Sequence, residues 1–245
     1  MKTKLSKIFI LVLLILPGTL LLFSQESGTP VSSYELREEL NRIYGADQEL
    51  VSGTIYHKAP YGSVSGHPFC LSDEWKEGRV ELDGKLYGNL LLKYDIVNNE
   101  LVLNTLNLNN TSLQISLKTA NISSFSLGDR QFISFPGSEN EEKPVFCELV
   151  SSGPVNYLLL RKKEMRINSS AATDFEYKEY YNNYLVKNGE LTRFRGRGSL
   201  FKLFPEYRKE LRKYIFQQAL VLGRKNTDDR AMLIDYCNKI ISGQE

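Results

Sequence analysis

The chain has 245 residues, 42% of them hydrophobic and 24% charged, with a formal net charge of +2. That composition is ordinary for a globular protein and gives no basic excess for grasping a nucleic acid. Three cysteines and two histidines leave little for a disulfide framework or a metal set.

Lys2, Lys4 and Lys7 precede an apolar run from Ile8 to Phe23, broken once at Pro17-Gly18. This is the layout of a secretory signal peptide over residues 1–24, with cleavage expected after Ser24. The run is short of the roughly 20 residues a spanning helix needs, and an uncleaved anchor is the alternative. The first cysteine after it is Cys70, which argues against a lipid-anchored lipoprotein. Removing residues 1–24 takes three lysines and no acid, so the mature charge is −1. The expected location is periplasmic or secreted. After cleavage the chain is expected not to be an integral membrane protein.

Residues 25–50 read as a polar leader and a short N-terminal helix. Ser32 and Glu35 have capping-box spacing, Leu36, Leu40, Ile43 and Tyr44 share a face, and Gly45 is placed to end the helix.

Residues 51–198 predict β-structure almost throughout. Val51–His57 is the first candidate strand, followed by a Gly-, Pro- and Ser-rich loop to Trp75. Further strands are predicted at Arg79–Leu82, Lys85–Ile96, Glu100–Thr105 and Ser112–Leu117. The next are Ile122–Leu127, Gln131–Phe135, Val145–Val150 and Tyr157–Ile167. The last two are Lys178–Val186 and Glu190–Arg195. Asn188-Gly189 between the last two suits a type I′ turn, which needs positive φ at both central residues. Residues 137–143 form an acidic loop. Closely spaced strands without intervening helices imply an antiparallel meander, and a curled sheet, a half-barrel, a barrel and a sandwich all satisfy it.

The period changes in residues 199–245, where two C-terminal helices are predicted. Tyr207, Leu211, Tyr214 and Ile215 stripe the first after Pro205, and Gly223 ends it. Leu233, Ile234, Cys237, Ile240 and Ile241 stripe the second, which starts at Thr227-Asp228-Asp229. The fold class is therefore α+β, mostly β, with this segment packing on the sheet.

Candidate chemistry is sparse. His57, His67 and Cys70 match no zinc spacing, and no cofactor or metal is expected. No P-loop, dinucleotide fingerprint or nucleophile elbow occurs. Asp73 and Glu74 before Trp75 suggest an aromatic-plus-acid sugar site, against a tryptophan folded back on the sheet. Phe175, Tyr177, Tyr180, Tyr181 and Tyr184 offer a contact surface. Alternation puts Tyr177 and Tyr181 on one face and Tyr180 and Tyr184 on the other. Arg193-Phe194-Arg195-Gly196-Arg197-Gly198 looks like an RNA-binding repeat, but it occurs once and reads better as a hinge into the helices. Asn109, Asn110, Asn121 and Asn168 fit the N-glycosylation pattern.

Tyr44-Gly45, Val51-Ser52-Gly53, Gly66-His67-Pro68-Phe69, Leu92-Lys93-Tyr94-Asp95-Ile96 and Leu203-Phe204-Pro205 carry a resemblance. With them the chain resembles a broad set of uncharacterised exported proteins of Gram-negative bacteria, over most of its mature length. The resemblance implies an exported sheet protein with a helical tail. It carries no activity and no site residues.

The expected function is that of a non-enzymatic binding or structural protein of the cell envelope, with an envelope protein, glycan or lipid as partner. The candidate binding surface is His67, Phe69, Trp75, Tyr177, Tyr180, Tyr181 and Tyr184. One alternative is a carrier of a small apolar ligand in a β-enclosed cavity. A second is a glycan hydrolase using carboxylates near Trp75, which requires two acids converging in a cleft.

Overall fold

The computed structural model describes residues 49–57, 63–107, 109–135, 144–168 and 174–243. The signal peptide, the helix expected after Ser32 and the acidic loop 137–143 lie outside the described residues. The strands are β1 (Thr54–Ile55), β2 (Val64–Ser65), β3 (Lys76–Leu82), β4 (Lys85–Asp95), β5 (Glu100–Leu106), β6 (Ser112–Ser116), β7 (Ile122–Leu127), β8 (Arg130–Phe135), β9 (Val145–Ser151), β10 (Val155–Ile167), β11 (Phe175–Lys187) and β12 (Glu190–Arg193). Three helices follow: α1 (Arg197–Leu203), α2 (Arg208–Gln217) and α3 (Thr227–Ile241).

The strands form one sheet in the order β1-β6-β5-β4-β3-β7-β8-β9-β10-β11-β12, with β2 pairing β11 in parallel. Two antiparallel meanders thus run outward from the β3–β7 pair, joined by a 3₁₀ turn at Thr119–Asn121. The sheet curls but does not close, since β1 and β12 lie at opposite ends of the order. Local turn chemistry sets much of this. Asn188 and Gly189 have φ of 51° and 81°, the type I′ geometry expected of Asn-Gly. The Leu127–Arg130 hairpin turns at Gly128, with φ of 61°.

Apolar residues at every second strand position fill the inside of the curl. Leu92, Tyr94, Leu101, Leu103, Phe125, Phe132 and Phe146 are buried there. The rings of Tyr94, Phe125, Phe132 and Phe146 pack edge-on and stacked at centroid separations of 4.8–6.0 Å, close enough to exclude water between them. At the other end the helices pack on Val155, Tyr157 and Leu185 through Leu200, Phe204, Leu211, Leu233, Ile234 and Cys237.

Two polar clasps hold the helices down. Asn238 bonds both backbone groups of Val155, its Nδ2 donating to the carbonyl and its Oδ1 accepting the amide, each at 2.9 Å. Arg230 is fully buried. Its guanidinium donates to the carbonyls of Gly223, Phe194, Arg195 and Leu222 and lies 4.4 Å from the Phe194 ring centre. Burial holds its pKa below the usual arginine value.

The structure corrects several boundaries. The first strand is only Thr54–Ile55, and the loop before Trp75 contains β2 and a bridge from Phe69 to Asp95. An additional helix, α1, precedes the two expected. The second helix, α2, ends at Gln217 rather than near Gly223. There the Leu220 amide bonds the Ile215 carbonyl around Ala219, which has a φ of 49°, so an alanine takes the left-handed position a glycine usually fills. The cap of α3 is Asn226 and not Thr227. Asp229 accepts the Asn226 side-chain amide and the Val221 N–H, tying the linker to the first turn.

Candidate functional site

The sheet splits where β9 and β10 diverge. The two strands pair only from Ser151↔Tyr157 to Glu148↔Leu159, with a bulge between. β10 then continues to Ile167 in unbroken register with β11. A bulge adds local twist, and it lies where the strands part. The gap is an open cleft of about 500 Å³ lined by Tyr94, Ile96–Asn99, Val145 and Leu160–Glu164.

One wall is the β4–β5 turn. Asp95 is fully buried. Its carboxylate accepts the Val97 and Asn98 amides, the Asn98 side chain and the Tyr56 hydroxyl. This turn reaches over to β9. Asn99 Nδ2 donates to the Pro144 carbonyl at 2.7 Å, and the Tyr94 hydroxyl donates to Asn99 Oδ1 at 2.7 Å. The Tyr94 ring packs edge-on against Phe146, with 5.7 Å between ring centres. The start of β9 is therefore held from the cleft side by Asn99 of the turn.

The other wall is β10, where Val155 fixes the orientation of the backbone. Both its polar groups point at Asn238, away from β11. Strand alternation then turns the N–H and C=O groups of Leu159, Arg161, Lys163 and Met165 the same way. The Lys187↔Glu190 and Asn183–Phe194 contacts agree, because they turn the facing β11 residues toward β12. Beyond Leu159 no described strand pairs with this edge.

The inward side chains of β10 are cationic. Arg161 donates to the buried Glu148 at 3.1 Å, and Glu148 also accepts Arg130. Arg161 lies over the Tyr181 ring, 5.2 Å from its centre. Burial, then the neighbouring Glu179, raises the Tyr181 pKa. Lys163 Nζ donates to the carbonyls of His67 and Phe69 at 3.1 and 2.6 Å. Among the described residues no carboxylate lies within ion-pair distance of it. Burial lowers its pKa, with Glu179 pulling the other way.

The seven residues expected as a binding surface divide between the two faces of the sheet. Phe69 is buried beside Tyr56 and Val102. His67 lies next to Phe69 with its Nδ1 buried and unpartnered, and burial followed by the Lys163 charge lowers its pKa. Trp75 covers Lys93, whose ammonium sits 4.7 Å from the Trp75 ring centre and 4.8 Å from that of Phe69. Lys93 also donates to Asp73 at 2.6 Å, and Glu74 pairs with Lys76. The aromatic-plus-acid pattern thus serves an internal lysine clamp. Tyr177 and Tyr181 share the inward face of β11. Tyr180 and Tyr184 are on the outer face, with Arg166 over Tyr180 and Phe135 stacked on Tyr184. From sequence Asn98 and Asn99 read only as part of a hairpin turn between two strands, and Lys163 only as part of a strand. A strand-length mismatch signals the cleft they line: the candidate strand Tyr157–Ile167 outruns Val145–Val150 by several residues, so half of it has no partner on that side. The thiols of Cys70, Cys147 and Cys237 are free and buried, each pushed up to about 12 by burial. No described helix is long and apolar enough to cross a membrane.

No family model matches the chain, and neither a curated protein nor a solved structure matches it.

Proposed function

We propose that this chain is an exported, non-enzymatic binding protein of the cell envelope, and that its partner enters the cleft at the β9–β10 split. The observation that carries this reading is the cleft itself. About 500 Å³ falls in the range of ligand sites, and its walls combine apolar, amide and cationic groups. The signal-peptide pattern of residues 1–24 supplies the export part of the proposal.

The two alternatives draw less support. A carrier needs a hollow sheet, whereas Tyr94, Phe125, Phe132 and Phe146 pack the inside of this one. A hydrolase near Trp75 needs two free converging carboxyls, whereas Asp73 and Glu74 are each held by a lysine.

A photo-crosslinking side chain placed at Asn98, inside the cleft, tests the proposal in the cells that make the protein. The control position is Phe216 on α2, which is 86% exposed. One discrete adduct from position 98 and none from 216 is expected. No adduct at 98, or the same adducts at both, would refute binding in the cleft.

A further inference from the structure

We infer that the cleft takes an extended peptide, which adds to β10 as a further antiparallel strand. This rests on the binding reading above and names the ligand class of that same site.

Among the described residues the cleft-side backbone of β10 is unpaired beyond Leu159. Arg161, Lys163 and Met165 turn their N–H and C=O groups toward the cleft, by alternation from Val155. Leu160, Lys162 and Glu164 turn theirs to β11, with which β10 pairs through Ile167. An exposed strand edge is a template for another strand, and main-chain bonding along such an edge is a recurring mode of peptide recognition.

The opposite wall favours one added strand over mutual closure. β9 does not come back to cover β10 here, because Asn99 already holds the Pro144 carbonyl at its start and the Tyr94 ring packs against Phe146. Among the described residues the edge of β10 beyond Leu159 is open, while the start of β9 is held by Asn99. A ligand in this gap therefore bonds on one side to backbone and meets side chains on the other.

The side chains set the sequence preference. In an antiparallel pair, residues that exchange backbone bonds point their side chains to the same face. Ligand residues bonded to Arg161 and Lys163 thus point inward, where those two cations lie. Arg161 is matched by Glu148 and Glu179. Among the described residues Lys163 has only the carbonyls of His67 and Phe69. An acidic residue opposite Lys163 is favoured. The intervening ligand residues point to the outer face, toward Leu160 and Val145, which are buried with Cys147 and Leu158 in an apolar cluster. The favoured ligand alternates acidic and apolar residues.

The test uses a synthetic heptapeptide alternating glutamate and valine, titrated into the full chain by calorimetry. Two further versions carry backbone N-methyl groups, on the glutamates in one and on the valines in the other. The glutamate amides are the ones that face β10, so methylating them is expected to weaken binding about tenfold or more, from the loss of several backbone bonds. Methylating the valines, whose amides face away, is expected to change affinity less than about twofold. Met165→Pro in the protein removes one cleft-facing N–H at an edge position that tolerates proline. It is expected to weaken the parent peptide with the far-ultraviolet spectrum unchanged. No saturable binding of the parent, equal loss from both methylations, or full affinity in M165P would each overturn the strand proposal. An adduct at position 98 combined with failure here would reject the peptide strand while leaving the cleft as a binding site. Absence of that adduct would remove both.

Discussion

Arg230→Met removes a buried cation that, among the described residues, has no carboxylate partner and is held by four carbonyls and one aromatic ring. Arg230 fastens Phe194 and Arg195, just past β12, to Leu222 and Gly223, just before α3. The bond to Phe194 is buried, and orphaning its carbonyl costs about 1–3 kcal/mol. The other three carbonyls are half-buried and regain some water, so their share is smaller. Loss of the contact with the Phe194 ring, at 4.4 Å from its centre, adds about 1–2 kcal/mol. Methionine restores part of the packing of the stem. Removing the charge relieves its own desolvation, which acts in the opposite direction. The net loss comes to about 3 kcal/mol. At this chain length that lowers Tm by roughly 6–12 °C. Urea unfolding of both proteins at neutral pH measures it, with the exposed Arg224→Met as the control, expected to shift stability by less than about 0.5 kcal/mol. A loss below about 1 kcal/mol in R230M would refute the role given to these bonds.

Three further outcomes follow from particular contacts. A Cβ at Gly153 would sit 2.7 Å from Asn238 Nδ2, so Gly153→Ala is expected to push Asn238 off Val155 and cost about 1–3 kcal/mol in the same urea assay; an unchanged midpoint would show that Asn238 moves freely. His67 has a lowered pKa in the fold, from burial first and Lys163 second. The unfolded chain therefore binds the proton more tightly, and stability is full above the unfolded value of about 6.5 and falls as pH drops through and below it. His67→Asn should flatten that part of the stability profile relative to the parent, and identical profiles would contradict the assignment. Deleting residues 199–245 uncovers Val155, Tyr157 and Leu185 and should leave an aggregating remainder, as light scattering would show; a soluble truncation that unfolds cooperatively would contradict the packing.

Local rules made the β-body legible. Asn188-Gly189 announced its hairpin because the required backbone angles belong to those residue types. Alternation placed the four tyrosines on two faces. Two misreadings share one cause, the dominance of distant contacts over local pattern. Val64-Ser65 has no strand signature, and it pairs only because Phe175–Glu176 lies beside it. Arg193–Gly198 reads as a hinge into the helices, yet Arg197 and Gly198 already belong to the helix Arg197–Leu203, whose Leu200 is buried among the helices and strand ends. The candidate site was harder still. Asp73 and Trp75 had the right chemistry for a sugar site, but Lys93, distant in sequence, takes up both. The cleft depends on where β9 stops following β10, and a register between strands is fixed by packing across the whole sheet.

Amide hydrogen exchange along β10 tests the open edge most directly. If the edge is unpaired, the amides of Arg161, Lys163 and Met165 exchange much faster than those of Leu160, Lys162 and Glu164, which face β11. Uniform protection along residues 160–165 would mean that the edge is already covered, and would contradict its role as a binding site.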